Sequence, residues 1–164
     1  MATLTSKQLH AAKAVVFIIC LLPLAYIIYA ALTQSLGTDP VKSLIHQTGD
    51  WAIRLFVLTM AISPMRAWFA WGSALRFRRM LGLYTWFYTS LHLFIVTTYI
   101  FAWDWQLAKI ELAERPYIFV GFAAWVLMVP LGLTSNNRAV RALRKNWARL
   151  HMLVYPALLL AWLH

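Results

Sequence analysis

Cysteine is nearly absent from this chain: Cys20 is the only one. One thiol excludes an internal disulfide framework and any thiolate metal cluster built by a single chain. Acidic residues are almost as scarce. There are 5 Asp+Glu against 15 Lys+Arg in 164 residues, and charged residues are 12% of the whole. No glycine-rich phosphate loop or dinucleotide fingerprint is present, so nicotinamide cofactors have no evident cradle. No internal repeat, low-complexity tract or linker divides the sequence, and residues 1–164 read as one domain.

What is abundant is apolar surface. Hydrophobic residues make up 62% of the chain, a composition outside the soluble class that points to a polytopic membrane protein. The stretch that organises the rest is Met80 to Trp103, twenty-four residues without a formal charge. About twenty apolar residues suffice to cross a bilayer core. Arg78 and Arg79 stand just before it, Asp104 just after, and His92 lies near its middle. An ionisable group inside a spanning helix is costly, so His92 asks for a functional explanation.

Four other apolar runs flank this one. Ala14 to Leu32 is nineteen residues long, longer than a typical signal-peptide core, and reads as a retained spanning helix. Pro23 is tolerable there when neighbouring helices satisfy the freed carbonyl. Gly37 to Asp50 reads as a loop from its Asp39-Pro40 pair and Gly49. Leu55 to Met65 is only eleven residues between Arg54 and Arg66, with Trp51, Trp68 and Trp71 further out. Either those arginines snorkel to the interface, or one pairs with an anionic group between helices, such as a cofactor carboxylate. Asp104 to Arg115 is expected to be a loop. Pro116 to Leu133 forms a fourth run that starts with proline where a helix tolerates it. Asn136 to Arg149 is a basic segment, and a fifth run goes from Leu150 to His164. Fifteen residues are too few to span comfortably, so further membrane helix is expected beyond it. The expected fold class is therefore all-α, a transmembrane helix bundle with five spanning runs.

Charge sets the orientation. With a cytoplasmic N-terminus, that side holds Lys7, Lys13, Arg66, Arg76, Arg78, Arg79, Arg138, Arg141, Arg144, Lys145 and Arg149, against Lys42, Lys109 and Arg115 opposite. Eleven against three is a strong positive-inside signal. Asp39, Asp50, Asp104, Glu111 and Glu114 all fall on the outer side. The basicity is thus topological and suits anionic lipid rather than nucleic acid.

The histidines can be placed by depth. His92 lies thirteen residues past Arg79 and His164 fifteen past Arg149, rises of about 20 and about 22 Å along helices. His151 is close to the cytoplasmic boundary, and about 20 Å of helix would separate it from His164. Two imidazoles level in depth among Trp, Tyr, Phe and Leu suit axial ligation of a haem between helices. A zinc site ordinarily wants three or four ligands, and no other candidate stands at that depth. The plainer alternative is that each histidine only hydrogen-bonds a neighbouring helix. His10 and His46 lie outside the runs and read as surface residues.

The sequence also resembles a known family. The resemblance is carried in order by Asp39-Pro40-Val41, Ile62-Ser63-Pro64, Arg78-Arg79-Met80-Leu81-Gly82-Leu83 and Leu91-His92. It continues through Arg115-Pro116-Tyr117, Leu133-Thr134-Ser135, Trp147 with Leu150-His151 and Tyr155, and His164. These fragments resemble the haem-binding membrane subunits of bacterial periplasmic methionine-sulfoxide reductase systems, within the ferric-reductase-like transmembrane superfamily. The resemblance implies b-type haem held by histidines of the third and fifth helices, and the His151–His164 spacing matches the fifth-helix pair. Oxidase relatives carry an earlier third-helix histidine where this chain has Arg78 or Arg79. That leaves His151 without a histidine partner and makes Arg78 a cofactor-binding candidate of a different kind.

The resemblance further implies a bacterial inner-membrane subunit that takes electrons from the quinone pool or a flavin and passes them through haem b. It delivers them to a soluble periplasmic molybdenum enzyme that repairs methionine sulfoxide. FMN is implied as a cofactor without a locatable site. On this reading the chain is an electron-transfer subunit rather than the catalytic one. Two rivals remain open: direct reduction of ferric iron or oxygen, and a haem-free transporter or assembly factor.

Overall fold

In the computed structural model, which describes residues 5–69 and 72–164, the chain is helical with no strand among the described residues. The helices are α1 (Ser6–Leu32), α2 (Pro40–Phe69), α3 (Leu75–Tyr99), α4 (Trp105–Glu114), α5 (Pro116–Leu133), α6 (Asn137–Leu143), α7 (Lys145–His151) and α8 (Val154–Leu163). A 3-10 turn, Gly72–Ala74, precedes α3. Trp71 lies outside the described residues. The chain forms two compact units, Met1–Thr85 and Trp86–His164, with the sequence boundary inside α3.

Among the described residues, two helices, α1 and α5, are long and apolar enough to cross a membrane. Only 22% and 11% of their apolar windows are buried in the molecule, so neither resembles the core helix of a soluble protein. Their side chains instead present apolar surface outward, which suits lipid.

In the first unit, α1 opens on a capping box. The Thr5 hydroxyl accepts from the Gln8 N–H at 3.4 Å and the Gln8 side chain accepts from the Thr5 N–H at 3.0 Å, satisfying two donors that a helix start leaves orphaned. Buried Tyr84 donates its hydroxyl to the Phe17 carbonyl at 3.1 Å. Buried Thr59 and Thr85 donate to the Leu55 and Leu81 carbonyls one turn back, at 2.7 and 3.0 Å, and their hydroxyls lie 3.4 Å apart. Polar side chains in this apolar setting thus find partners, as burial demands.

The segment expected as a loop, Gly37 to Asp50, is mostly helix. Pro40 opens α2, and the Asp39 carboxylate accepts the Lys42 N–H at 2.9 Å. An aspartate cap ahead of a proline at the first helical position is a strong start signal, and it prevails over the cost of about 1 kcal/mol for Gly49 inside the helix. Leu55 to Met65 is therefore the middle of a 30-residue helix, not an isolated short crossing.

The second unit corrects some expectations and fills in others. Asp104 to Arg115 contains α4, because the Asp104 carboxylate caps it by accepting the Gln106 and Leu107 N–H groups at 2.7 and 3.4 Å. Ahead of that cap, Ala102 and Trp103 take left-handed φ of 47° and 58°, so α3 ends at Tyr99 rather than Trp103. The basic segment folds as α6 and α7, with Asn136 accepting the Ala139 N–H at 2.8 Å. Lastly, the fifth run is two helices. Pro156 has no N–H to offer the Met152 carbonyl, which Tyr155 N–H takes instead at 3.1 Å. The turn at Met152–Leu153 tightens, and His151 and His164 belong to different helices.

Candidate cofactor-binding site

The second unit is built around α5, which packs along α8 and against α4. Small side chains permit the α5–α8 approach. Ala157 of α8 is fully buried, as nearly is Ala124 of α5, and Gly121 lies one turn before Ala124 on the same face. Small residues at such contacts let helix backbones come close. The second half of α3 reaches α5 through Trp125 Nε1, which donates to the Ser90 hydroxyl at 3.0 Å. Near the end of α5, the indole of Trp86 lies against Gly132.

This packing brings together the two histidines matched by depth. His92, half-buried on α3, and His164, exposed at the end of α8, have ring centres 6.1 Å apart and ring planes at 81°. His164 Nδ1 lies 2.7 Å from the Tyr117 carbonyl of α5. A carbonyl oxygen only accepts, so Nδ1 carries a proton, and in the neutral ring Nε2 keeps its lone pair. The Tyr117 ring also lies beside the imidazole, centres 5.6 Å apart.

A metal ion held between two facing imidazole nitrogens would require a ring-centre separation of about this length. A metal–nitrogen bond of about 2 Å, with each nitrogen about 1.1 Å from its ring centre, separates two opposed ring centres by about 6 Å. No group of three or more His, Cys, Asp and Glu side chains suited to a metal occurs among the described residues. Two imidazoles with no third protein ligand would hold a haem iron better than a bare ion wanting three or four protein ligands.

His151 has a separate setting. It stacks on Trp147, ring centres 3.8 Å apart and planes 26° from parallel, with Nδ1 at 3.1 Å from the Trp147 carbonyl. Arg78 is half-buried in the first unit, fourteen positions before His92 in the sequence. Arg54 is exposed, 3.6 Å from the Asp50 carboxylate and over the Trp51 ring; this favours the interfacial reading over a buried cofactor partner. Arg66, His10 and His46 are exposed. The Tyr117 carbonyl and Gly121 escaped sequence reasoning. A backbone acceptor leaves no trace in residue identity, and only the glycine in an apolar helix hinted at a close approach.

Residues 48–162 match the family described as ferric reductase like transmembrane component. The chain belongs to the ferric-reductase-like transmembrane family. The match takes in His92 and His151 and ends two residues before His164. The chain is also similar to curated proteins named protein-methionine-sulfoxide reductase heme-binding subunit MsrQ. That of Xanthomonas axonopodis pv. citri (strain 306) is 44% identical over 166 residues, covering 98% of this chain and 76% of the relative. That of Xanthomonas campestris pv. campestris (strain B100) is 49% identical over 132 residues, 80% of this chain and 61% of the relative. The Polaromonas naphthalenivorans (strain CJ2) protein is 42% identical over 155 residues, 94% and 71% respectively. No solved structure matches this member of the ferric-reductase-like family.

Proposed function

We propose that this chain is the membrane electron-transfer subunit of a protein-methionine-sulfoxide reductase system, holding haem b between His92 and His164. The observation that carries the reading is the 6.1 Å pairing of those two imidazoles in one unit. The names of its relatives support the reading as a haem-binding subunit.

Haem bound there supplies a reversible one-electron change at iron. The protein's part is to orient and tune. Tyr117 holds His164 in the tautomer whose Nε2 is a ligand, which is how outer partners usually fix a metal-bound histidine. The Tyr117 ring beside the imidazole would help set the potential. The electrons come from the quinone pool or a flavin such as FMN and leave to a periplasmic molybdenum-containing reductase that repairs oxidised methionine. His151, stacked on Trp147, is the weaker candidate for a second ligand site, and Arg78 for an anionic cofactor group.

In the same reading α1, α2, α3, α5 and the α7–α8 pair cross the bacterial inner membrane. The N-terminus lies in the cytoplasm, where positive charge accumulates, and capped α4 lies on the outer side. Direct reduction of ferric iron is favoured only by the family's description, and activity without a partner enzyme distinguishes it.

The test is the visible spectrum of the detergent-purified protein made with haem supplied, oxidised and then reduced. The wild type is expected to give the sharp reduced bands of a low-spin b-type haem. His92→Ala and His164→Ala each lose them, and His10→Ala keeps them. Unchanged bands in both site variants, with the helix content intact, would overturn the assignment.

A further inference from the structure

Glycine inside an apolar helix costs about 1 kcal/mol relative to alanine, so Gly121 in the middle of α5 calls for a reason. A Cβ at that position would stand 2.6 Å from Nδ1 and Cε1 of His164 and 2.9 Å from its Cγ. Those separations are shorter than carbon tolerates. The imidazole therefore lies against bare backbone, and from there its Nδ1–H reaches the Tyr117 carbonyl one helical turn earlier, at 2.7 Å. That carbonyl has two lone pairs, one for the helix ladder and one for the ring.

We propose that Gly121 is a positioning residue that sets the tautomer, orientation and donor strength of His164 toward the haem. The proposal rests on the reading of His164 as an axial ligand. With a methyl group at 121 the ring must withdraw, and the bond to Tyr117 lengthens. The two neutral tautomers then approach equal population, and Nε2 no longer keeps its lone pair by default. A hydrogen bond donated from Nδ1 also makes Nε2 more basic, which favours the more highly charged ferric iron. Weakening the bond therefore raises the reduction potential and loosens the haem. His164 is exposed at the end of α8, so the ring has room to move.

The experiment uses the full chain in detergent with its histidine rings labelled with nitrogen-15. In the haem-free protein, His164 is expected as the Nδ1–H tautomer in the wild type and as a mixture in Gly121→Ala. Gly132→Ala, an equal steric load eleven residues along α5, keeps the wild-type tautomer. In the haem-loaded protein, Gly121→Ala is expected to bind haem at least about tenfold more weakly, as loss of an outer partner usually does, with a higher midpoint potential. Wild-type tautomer, affinity and potential in Gly121→Ala would overturn the proposal.

If that variant does not fold, His164→Gly offers the same test from the other side. Added imidazole, which can donate to Tyr117, is expected to restore the low-spin bands at about tenfold lower concentration than 1-methylimidazole, which cannot. Equal restoration overturns the proposal. If His164→Ala keeps its low-spin bands, the reading of His164 as a ligand falls by itself, and the tautomer result still decides what Gly121 does to the ring.

Discussion

The imidazole of His151 lies stacked on the indole of Trp147, ring centres 3.8 Å apart and planes 26° from parallel. The same indole donates from Nε1 to the Thr134 carbonyl at 3.0 Å, one of the carbonyls that the end of α5 leaves without an intrahelical partner. Trp147 thus ties α7 to α5 and shelves His151 at the join. Trp147→Phe keeps an aromatic shelf but loses the donor, for an expected cost of about 1 kcal/mol. Trp147→Leu also loses the ring pair, for about a further 1 kcal/mol. Thermal unfolding in detergent reads both, and identical losses would mean that the stack contributes nothing.

One substitution has opposite signs at two glycines. Around Gly82, the nearest atom to an added Cβ is Thr59 Cγ2 at 3.7 Å, an ordinary contact. Gly82→Ala is expected to stabilise the protein by up to about 1 kcal/mol through helix propensity. At Gly132 an added Cβ would fall within 3 Å of three indole atoms of Trp86. Gly132→Ala is expected to destabilise by about 1–3 kcal/mol, as overpacking does, and Trp86→Leu in that background to recover part of the loss. Midpoints of thermal unfolding compare them directly. A destabilised Gly82→Ala or a neutral Gly132→Ala contradicts the packing described.

Arg144 joins α6 to α7 at φ 48° and ψ −121°, a conformation that suits glycine and strains any residue with a Cβ. Such strain costs about 1–3 kcal/mol, partly offset by glycine's greater freedom when unfolded. Arg144→Gly is expected to gain about 1 kcal/mol of stability. Arg144→Ala, which keeps the Cβ, is expected to gain nothing. Equal midpoints for the two variants would place the strain elsewhere.

Residue order alone determined that this chain is helical and apolar, because those properties follow from composition and from the runs counted along the chain. It also paired His92 with His164, since depth in a spanning helix is a matter of counting residues. The extent of α2, the helix α4 and the break at Met152–Leu153 were less legible. Each turned on a cap or a proline acting over three or four residues, where Asp39, Asp104 and Pro156 outweighed the loop signals nearby. Tertiary structure alone decided the rest. Which backbone carbonyl receives His164, and why α5 has a glycine opposite the ring, depend on how α5 and α8 pack, and helix packing brings Tyr117 and His164 together across 47 positions of chain.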